Sequence, residues 1–241
     1  MANSLKDVLT DEELAFAEAH KVGFCKKPKD FDAMMPFSVS LWGTKFIAPI
    51  KVDTRWHCTK TEDQGSKPWC AAYAAAQWAE AIRWQIKDYP EDIDPTWIYS
   101  YAKSVDGDPH GDGTTLTAVL EALLYKKVFS PSVCDVKVLR PNIEDIKYAV
   151  HKFGLVLGGF NITSEWYMVN PNKTFVCNPK NEDFQGGHAV LICGYDENGL
   201  YFQNSWGERW GDSGFGGISW DCVKAQLMYG SVLTNCLNGL S

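Results

Sequence analysis

Segments with helical periodicity and segments with strand character occupy different halves of this chain, and that separation constrains the fold more than any other feature. Ala71 to Trp84 is rich in alanine and carries Trp78, Ile82 and Trp84, a strong helical stretch. Pro68 stands just before it, where a missing N–H costs little, and Tyr89-Pro90 ends it. Asp94-Pro95 opens a second helix running to about Lys103. Leu116 to Tyr125 predicts a third, with Leu116, Val119, Leu120, Leu123 and Leu124 apolar, and Ile143 to Lys152 a fourth. Later segments change character. Leu155–Phe160, His188–Cys193, Leu200–Gln203 and Phe215–Trp220 are apolar runs of strand length, and Asp196-Glu197-Asn198-Gly199 is a hairpin turn between the second and third. Helices first and strands later predict an α+β fold with a cleft between two halves, a common place for a ligand.

A length of 241 residues allows one or two domains, and 45% hydrophobic content suffices for a buried core. The formal charge of −7 disfavours a nucleic-acid surface. No apolar run is long enough to span a membrane, so no membrane partner is expected. The N-terminal stretch MANSLKDVLTDEELAFAEAH has no apolar h-region, which predicts a cytoplasmic or virion-associated protein without a secretory signal. Among the eight cysteines no C-x-x-C pair occurs, so neither a metal nor a cofactor is implied, and cysteines other than Cys70 are expected to be reduced and mostly buried. Residues 1–47 form an N-terminal extension, with Thr10 and Glu13 a capping box for a short helix through Glu18. An arm packed on the domain is favoured there over a covering, inhibitory segment because the piece is short. The domain proper is expected over residues 48–241, with a helical lobe at about 60–150 and a β lobe at about 151–220.

Cys70 sits at the expected N-terminus of the alanine-rich helix, after Asp63-Gln64-Gly65-Ser66-Lys67-Pro68-Trp69. The positive end of a helix dipole and its unpaired N–H groups favour a thiolate there. Gln64 can offer a side-chain amide and Cys70 its own N–H, two donors suited to an oxyanion. Taken alone, a cysteine before an alanine-rich helix is more often just buried. A second block changes the balance: Gly186-Gly187-His188-Ala189-Val190-Leu191-Ile192-Cys193-Gly194-Tyr195, then Gln203-Asn204-Ser205-Trp206-Gly207-Glu208-Arg209-Trp210-Gly211-Asp212-Ser213-Gly214-Phe215. The hairpin brings His188, at the start of one strand, and Asn204, at the end of its partner, to one rim. An Asn oxygen accepting from one ring nitrogen fixes the tautomer and turns the other toward a thiol. Trp206 can shield that hydrogen bond from water. His20, His57, His110 and His151 have no comparable context.

These blocks resemble the papain-like cysteine peptidases over roughly residues 49 to 220. The carriers are Asn204-Ser-Trp-Gly-x-x-Trp-Gly-x-x-Gly-Phe, Gln64-Gly-Ser-x-x-x-Cys70, and Gly187-His188-Ala189-Val190 with Gly194-Tyr195; Val52-Asp53-Thr54-Arg55-Trp56 is similar to the start of the family's mature domain. The resemblance implies a two-lobed fold, the helical lobe bearing the cysteine and an antiparallel, barrel-like β lobe bearing the histidine and asparagine. It implies that Cys70 is the nucleophile, His188 the base and later the acid, Asn204 the orienter and Gln64 the oxyanion donor. It also implies a substrate cleft lined by Gly113 and Thr114, with Gly187, Ala189 and Trp206 at its other wall, and a peptide or protein as the substrate. The family's usual cysteine upstream of the nucleophile is Lys67 here, so its first disulfide cannot form; together with the Asp112-Gly113-Thr114-Thr115 loop this is more similar to intracellular bacterial and viral members. Hydrolysis of a peptide or isopeptide bond is the expected activity. An inactive binding or virion structural protein, and an acyl transferase or ligase, are the rivals on the same scaffold.

Overall fold

A computed structural model of the chain describes residues 5–20, 25–30, 36–37, 46–87, 91–129, 134–180 and 182–234. The helix that the N-terminal capping box predicts is α1, Asp11–Ala19. The Thr10 hydroxyl accepts from the Glu13 N–H while the Glu13 carboxylate accepts from the Thr10 N–H, so both orphan donors are satisfied. Two short strands follow, β1 (Pro36–Phe37) and β2 (Val52–Asp53). Three helices then build one side of the molecule: α2 (Cys70–Lys87), α3 (Pro95–Val105) and α4 (Leu116–Tyr125). Asp94 caps α3 through the Thr96 N–H, and Thr115 caps α4 through the Ala118 N–H.

Helix α2 is buried along most of its first three turns. Cys70, Ala71, Ala72, Ala74, Ala75, Ala76, Trp78, Ala79, Ala81 and Ile82 all belong to one core. Alanine's small volume lets neighbouring backbones come close, so a leucine at Ala75 would overpack the site at a cost of about 1–3 kcal/mol. Gln77 is a buried polar residue inside this surface, as is Glu80; the Gln77 Nε2 donates to the Asn204 carbonyl at 3.2 Å. Next to it, the Trp78 indole N–H donates to the Leu155 carbonyl at 3.2 Å. Both bonds tie the helical side to the sheet.

The remaining elements are β3 (Asp135–Leu139), α5 (Ile143–Phe153), β4 (Val156–Thr163), β5 (Phe175–Val176), β6 (Phe184–Tyr195), β7 (Gly199–Gln203), β8 (Phe215–Ser219), α6 (Trp220–Gln226) and β9 (Leu227–Thr234). Among the described residues they form one mostly antiparallel sheet in the order β1-β3-β9-β4-β6-β7-β8-β5, with β2 on β6. The pairs β1–β3 and β5–β8 are parallel. The side-chain period of two divides β6 between two cores. Ala189, Leu191 and Cys193 face the helices, whereas Val190, Ile192 and Tyr195 join an aromatic core with Phe160, Trp166, Phe202, Trp206 and Trp210. The α+β class and the two-sided arrangement expected from the sequence are present. No helix among the described residues is long and apolar enough to cross a membrane.

Three expectations change. Strand β6 starts at Phe184, not at His188, because β4 pairs with it from Thr163↔Phe184 through Phe160↔His188. That partner overrides the low strand propensity of Gly186-Gly187. Trp220 begins α6 and does not end a strand, since Ser219 caps the helix through the Cys222 N–H. Cys134 is disulfide-bonded and not reduced, while Cys25, Cys58, Cys177, Cys193 and Cys222 are free thiols. Pro90, expected to end α2, lies outside the described residues.

Candidate active site

Cys70 is the first residue of α2 and is fully buried. The Ala72 and Tyr73 N–H groups donate to the Trp69 carbonyl, so the helix starts at the thiol-bearing residue and its dipole points there. Facing it, the β6–β7 hairpin closes on the predicted turn: Asp196 Oδ1 accepts from the N–H groups of Asn198 and Gly199, at 2.7 and 3.3 Å. The register Leu191↔Gln203 carries the two strands to a common rim.

At that rim His188 Nε2 and Asn204 Oδ1 are 2.8 Å apart. The oxygen can only accept, so Nε2 carries the proton. That leaves Nδ1 as the acceptor nitrogen; it is buried and has no hydrogen-bond partner among the described residues. The ring of Trp206 lies 4.6 Å from that of His188, tilted by 31°. Trp206 is held by Tyr167, stacked at 5.3 Å, and by Trp210, edge-on at 5.8 Å. The result is a dry setting for the His188–Asn204 bond. Burial is the main reason His188 titrates low, at about 4; the bond to Asn204 opposes the shift and the nearby His20 adds to it.

Gln64 reaches the site through a second strand-like contact. Asp63 bridges to Trp206, the Gln64 N–H donates to the Ser205 carbonyl at 2.8 Å, and the Gly207 N–H donates to the Glu62 carbonyl at 3.0 Å. The Ser205 hydroxyl then donates to Gln64 Oε1 at 2.7 Å, which fixes which end of the amide is the donor. Gln64 Nε2 donates to the Lys67 carbonyl at 2.9 Å.

Two of the residues expected at the cleft, Gly187 and Thr114, bond to the chain's own N-terminal arm. The Cys25 N–H donates to the Gly187 carbonyl at 3.0 Å, and the Lys26 N–H donates to the Thr114 carbonyl at 3.1 Å. The Tyr229 hydroxyl donates to the Lys26 carbonyl and accepts from the Leu116 N–H, each at 2.7 Å. Cys25 and Ala189 share the core that contains Cys70. Upstream, α1 lies over Trp206, with Phe16 edge-on at 6.0 Å. His20 closes that contact: Nδ1 is 3.0 Å from the Phe16 carbonyl, and Nε2 is 3.2 Å from Asp63 Oδ1, the residue before Gln64.

Sequence reasoning names Cys70, His188, Asn204, Gln64, Trp206, Gly113, Thr114, Gly187 and Ala189; the structure sets His188 against Asn204 and Trp206, ties Gln64 to Ser205, puts Cys70 and Ala189 in one core, and bonds residues 25 and 26 to Gly187 and Thr114. It misses Gln77 and Ser205, which hold Asn204 and Gln64, and it misses Cys25, Lys26 and Tyr229. Gln77 carried a signal, a lone amide inside an otherwise apolar helix face. Cys25 and Tyr229 carried none, because their roles arise only from long-range contact.

The family model described as "Papain family cysteine protease" matches residues 124–229, a span that includes His188 and Asn204 but not Cys70 or Gln64. Solved structures share the fold across nearly the whole chain. Xylellain, a cysteine protease from Xylella fastidiosa, is 20% identical with a TM-score of 0.66, over 88% of this chain and 96% of that one. A procathepsin B from Trypanosoma congolense is 16% identical with a TM-score of 0.66, over 90% and 87%. The ragweed pollen allergen Amb a 11, a cysteine protease in its proform, is 18% identical with a TM-score of 0.67, over 96% and 78%. The fold is that of the papain-like cysteine proteases, and the part of the chain that carries His188 and Asn204 matches their family model.

Proposed function

We propose that the chain hydrolyses peptide bonds, with isopeptide bonds as a further substrate class, through Cys70, His188 and Asn204. The observation that carries the proposal is the state of His188: one ring nitrogen is committed to Asn204 and the other is buried and unpartnered. In the working enzyme the thiol of Cys70 gives its proton to His188 Nδ1, and the thiolate adds to the substrate carbonyl carbon. The carbonyl π pair moves onto oxygen, where the Cys70 N–H and the Gln64 amide stabilise it. Collapse breaks the C–N bond, and His188 gives its proton to the leaving amine. His188 next takes a proton from water, hydroxide adds to the acyl carbon, and the thiolate departs with the acid product.

The arm makes this resting form latent. Its backbone takes the Gly187 and Thr114 carbonyls, which lie where a peptide would bind, and α1 covers Trp206. Sealing the cleft also favours neutral His188 over the imidazolium that the thiolate needs as its partner. The test is Cys70→Ala, which abolishes turnover of a peptide mixture while circular dichroism and thermal unfolding stay those of a folded chain. Full turnover by that variant would overturn the assignment. Acyl transfer is separated from hydrolysis by the product masses formed with an added amine.

A further inference from the structure

The loop between α3 and α4, residues 106–115, supplies the Thr114 carbonyl that holds the arm. Its shape is set from below by one side chain. Lys103, in the last turn of α3, has a side chain only 12% exposed, and its ammonium donates to Asp106 Oδ2 at 2.8 Å, to the Gly113 carbonyl at 2.9 Å and to the Asp108 carbonyl. An ammonium has three donors, and here all three are spent on this one loop. The Asp106 carboxylate is 1% exposed, so the pair is buried, and its rigidity does not depend on solvent.

One turn earlier on the same face of α3, the Tyr99 hydroxyl faces the Gly113 backbone, and the Tyr99 ring stacks at 4.7 Å on Trp69, the residue before Cys70. Gly113 itself sits at φ +72°, a left-handed conformation that needs outside support to be unique. The ammonium therefore does for this loop what a bound cation does elsewhere: it gathers carbonyl oxygens around a fixed point and leaves the next carbonyl, that of Thr114, aimed into the cleft.

We propose that Lys103 is the positioning residue of this peptidase's substrate wall, acting through Gly113 to aim the Thr114 carbonyl at a peptide backbone. It touches neither substrate nor the reacting atoms. The proposal rests on Thr114 lining the cleft of the Cys70 site. Its clearest readout uses the peptide already bound there, the arm of the full chain.

Hydrogen exchange is followed at the amides of Lys26, bonded to Thr114, and Cys25, bonded to the opposite wall at Gly187. Two variants are compared with the wild type: Lys103→Met, and Lys103→Met with Asp106→Leu, which leaves no buried charge unpaired. In both, exchange at Lys26 is expected to quicken about tenfold, the worth of one backbone hydrogen bond, while Cys25 and the amides inside α4 keep their protection. In peptide turnover, both variants are expected to raise KM while kcat at saturating substrate holds, the split of a residue that positions the wall without touching the reacting atoms. Unchanged protection at Lys26 in the folded double variant would overturn the proposal. So would equal loss at Lys26, Cys25 and α4, the mark of a merely structural lysine. A wild-type chain that turns over no peptide would sink the Cys70 mechanism, yet the exchange result would still decide the role of Lys103.

Discussion

The Cys25 N–H donates to the Gly187 carbonyl at 3.0 Å, one residue before the histidine that pairs with Asn204. A segment distant in sequence thus takes a backbone acceptor beside the reactive groups, and does so without contributing chemistry. From this contact follow the conditions under which the site opens.

Removing residues 1–30 is expected to raise kcat/KM and to speed alkylation of Cys70 by iodoacetamide, read by site-resolved mass spectrometry. Exposed Cys177 serves as the internal standard, because its reactivity should not change. Equal Cys70 rates with and without the arm would show that residues 25–26 do not guard the thiol.

A gentler way to eject the arm is Gly187→Ala. A Cβ on Gly187 would stand 2.1 Å from the Cys25 carbonyl oxygen, a clash with backbone that no rotamer relieves. The arm must leave, so Cys25, buried in the wild type, becomes reactive toward the same reagent. Continued protection of Cys25 in a folded Gly187→Ala chain would contradict the contact.

The low titration of His188 gives stability a definite pH dependence. Histidine ordinarily titrates near 6.5. In the fold His188 does so at about 4, so between these values the unfolded chain takes up a proton that the folded chain refuses. Stability present above about pH 6.5 is lost as pH falls toward 4, by about 3 kcal/mol. Urea midpoints at pH 7 and pH 4.5 measure it: acidification should cost the wild type more than His188→Gln. Equal losses would locate the acid sensitivity elsewhere.

Gln64→Ala should lower kcat by about 10²–10³ with the fold intact, if its amide supports the oxyanion. Ser205→Ala tests the orientation of that amide, since the Ser205 hydroxyl holds Gln64 Oε1 at 2.7 Å. A smaller loss in kcat is expected there, and none in α2 stability. Wild-type kcat in both variants would remove Gln64 from the mechanism.

Residues that act through local chemistry were legible from the start. The helix at Leu116–Tyr125 matches its apolar spacing, and the capping box at Thr10 and Glu13 forms as written. The hairpin turn at Asp196–Gly199 closes as its residues demand, which is why His188 and Asn204 could be paired in advance. Strands β3 and β9 were not read. Asp135–Leu139 and Leu227–Thr234 pair with each other across the chain, and β9 is stable as a strand because β4 covers its other edge. The disulfide at Cys134 was equally hidden, since cysteine spacing does not reveal pairing.

The sequence by itself determined the α+β class, the helix that begins at Cys70 and the hairpin that sets His188 against Asn204, because each follows from spacing over a few residues. Only the tertiary structure decided that residues 25 and 26 bond to Gly187 and Thr114, that Gln77 holds the Asn204 carbonyl and Ser205 the Gln64 amide, and that Lys103 gathers the loop after α3. Most of those contacts end on backbone carbonyls, which every residue type possesses, and the arm and Gln77 reach theirs across long stretches of chain. A hydrogen bond to a carbonyl leaves no mark in the identity of the residue that accepts it, so folding alone selects it.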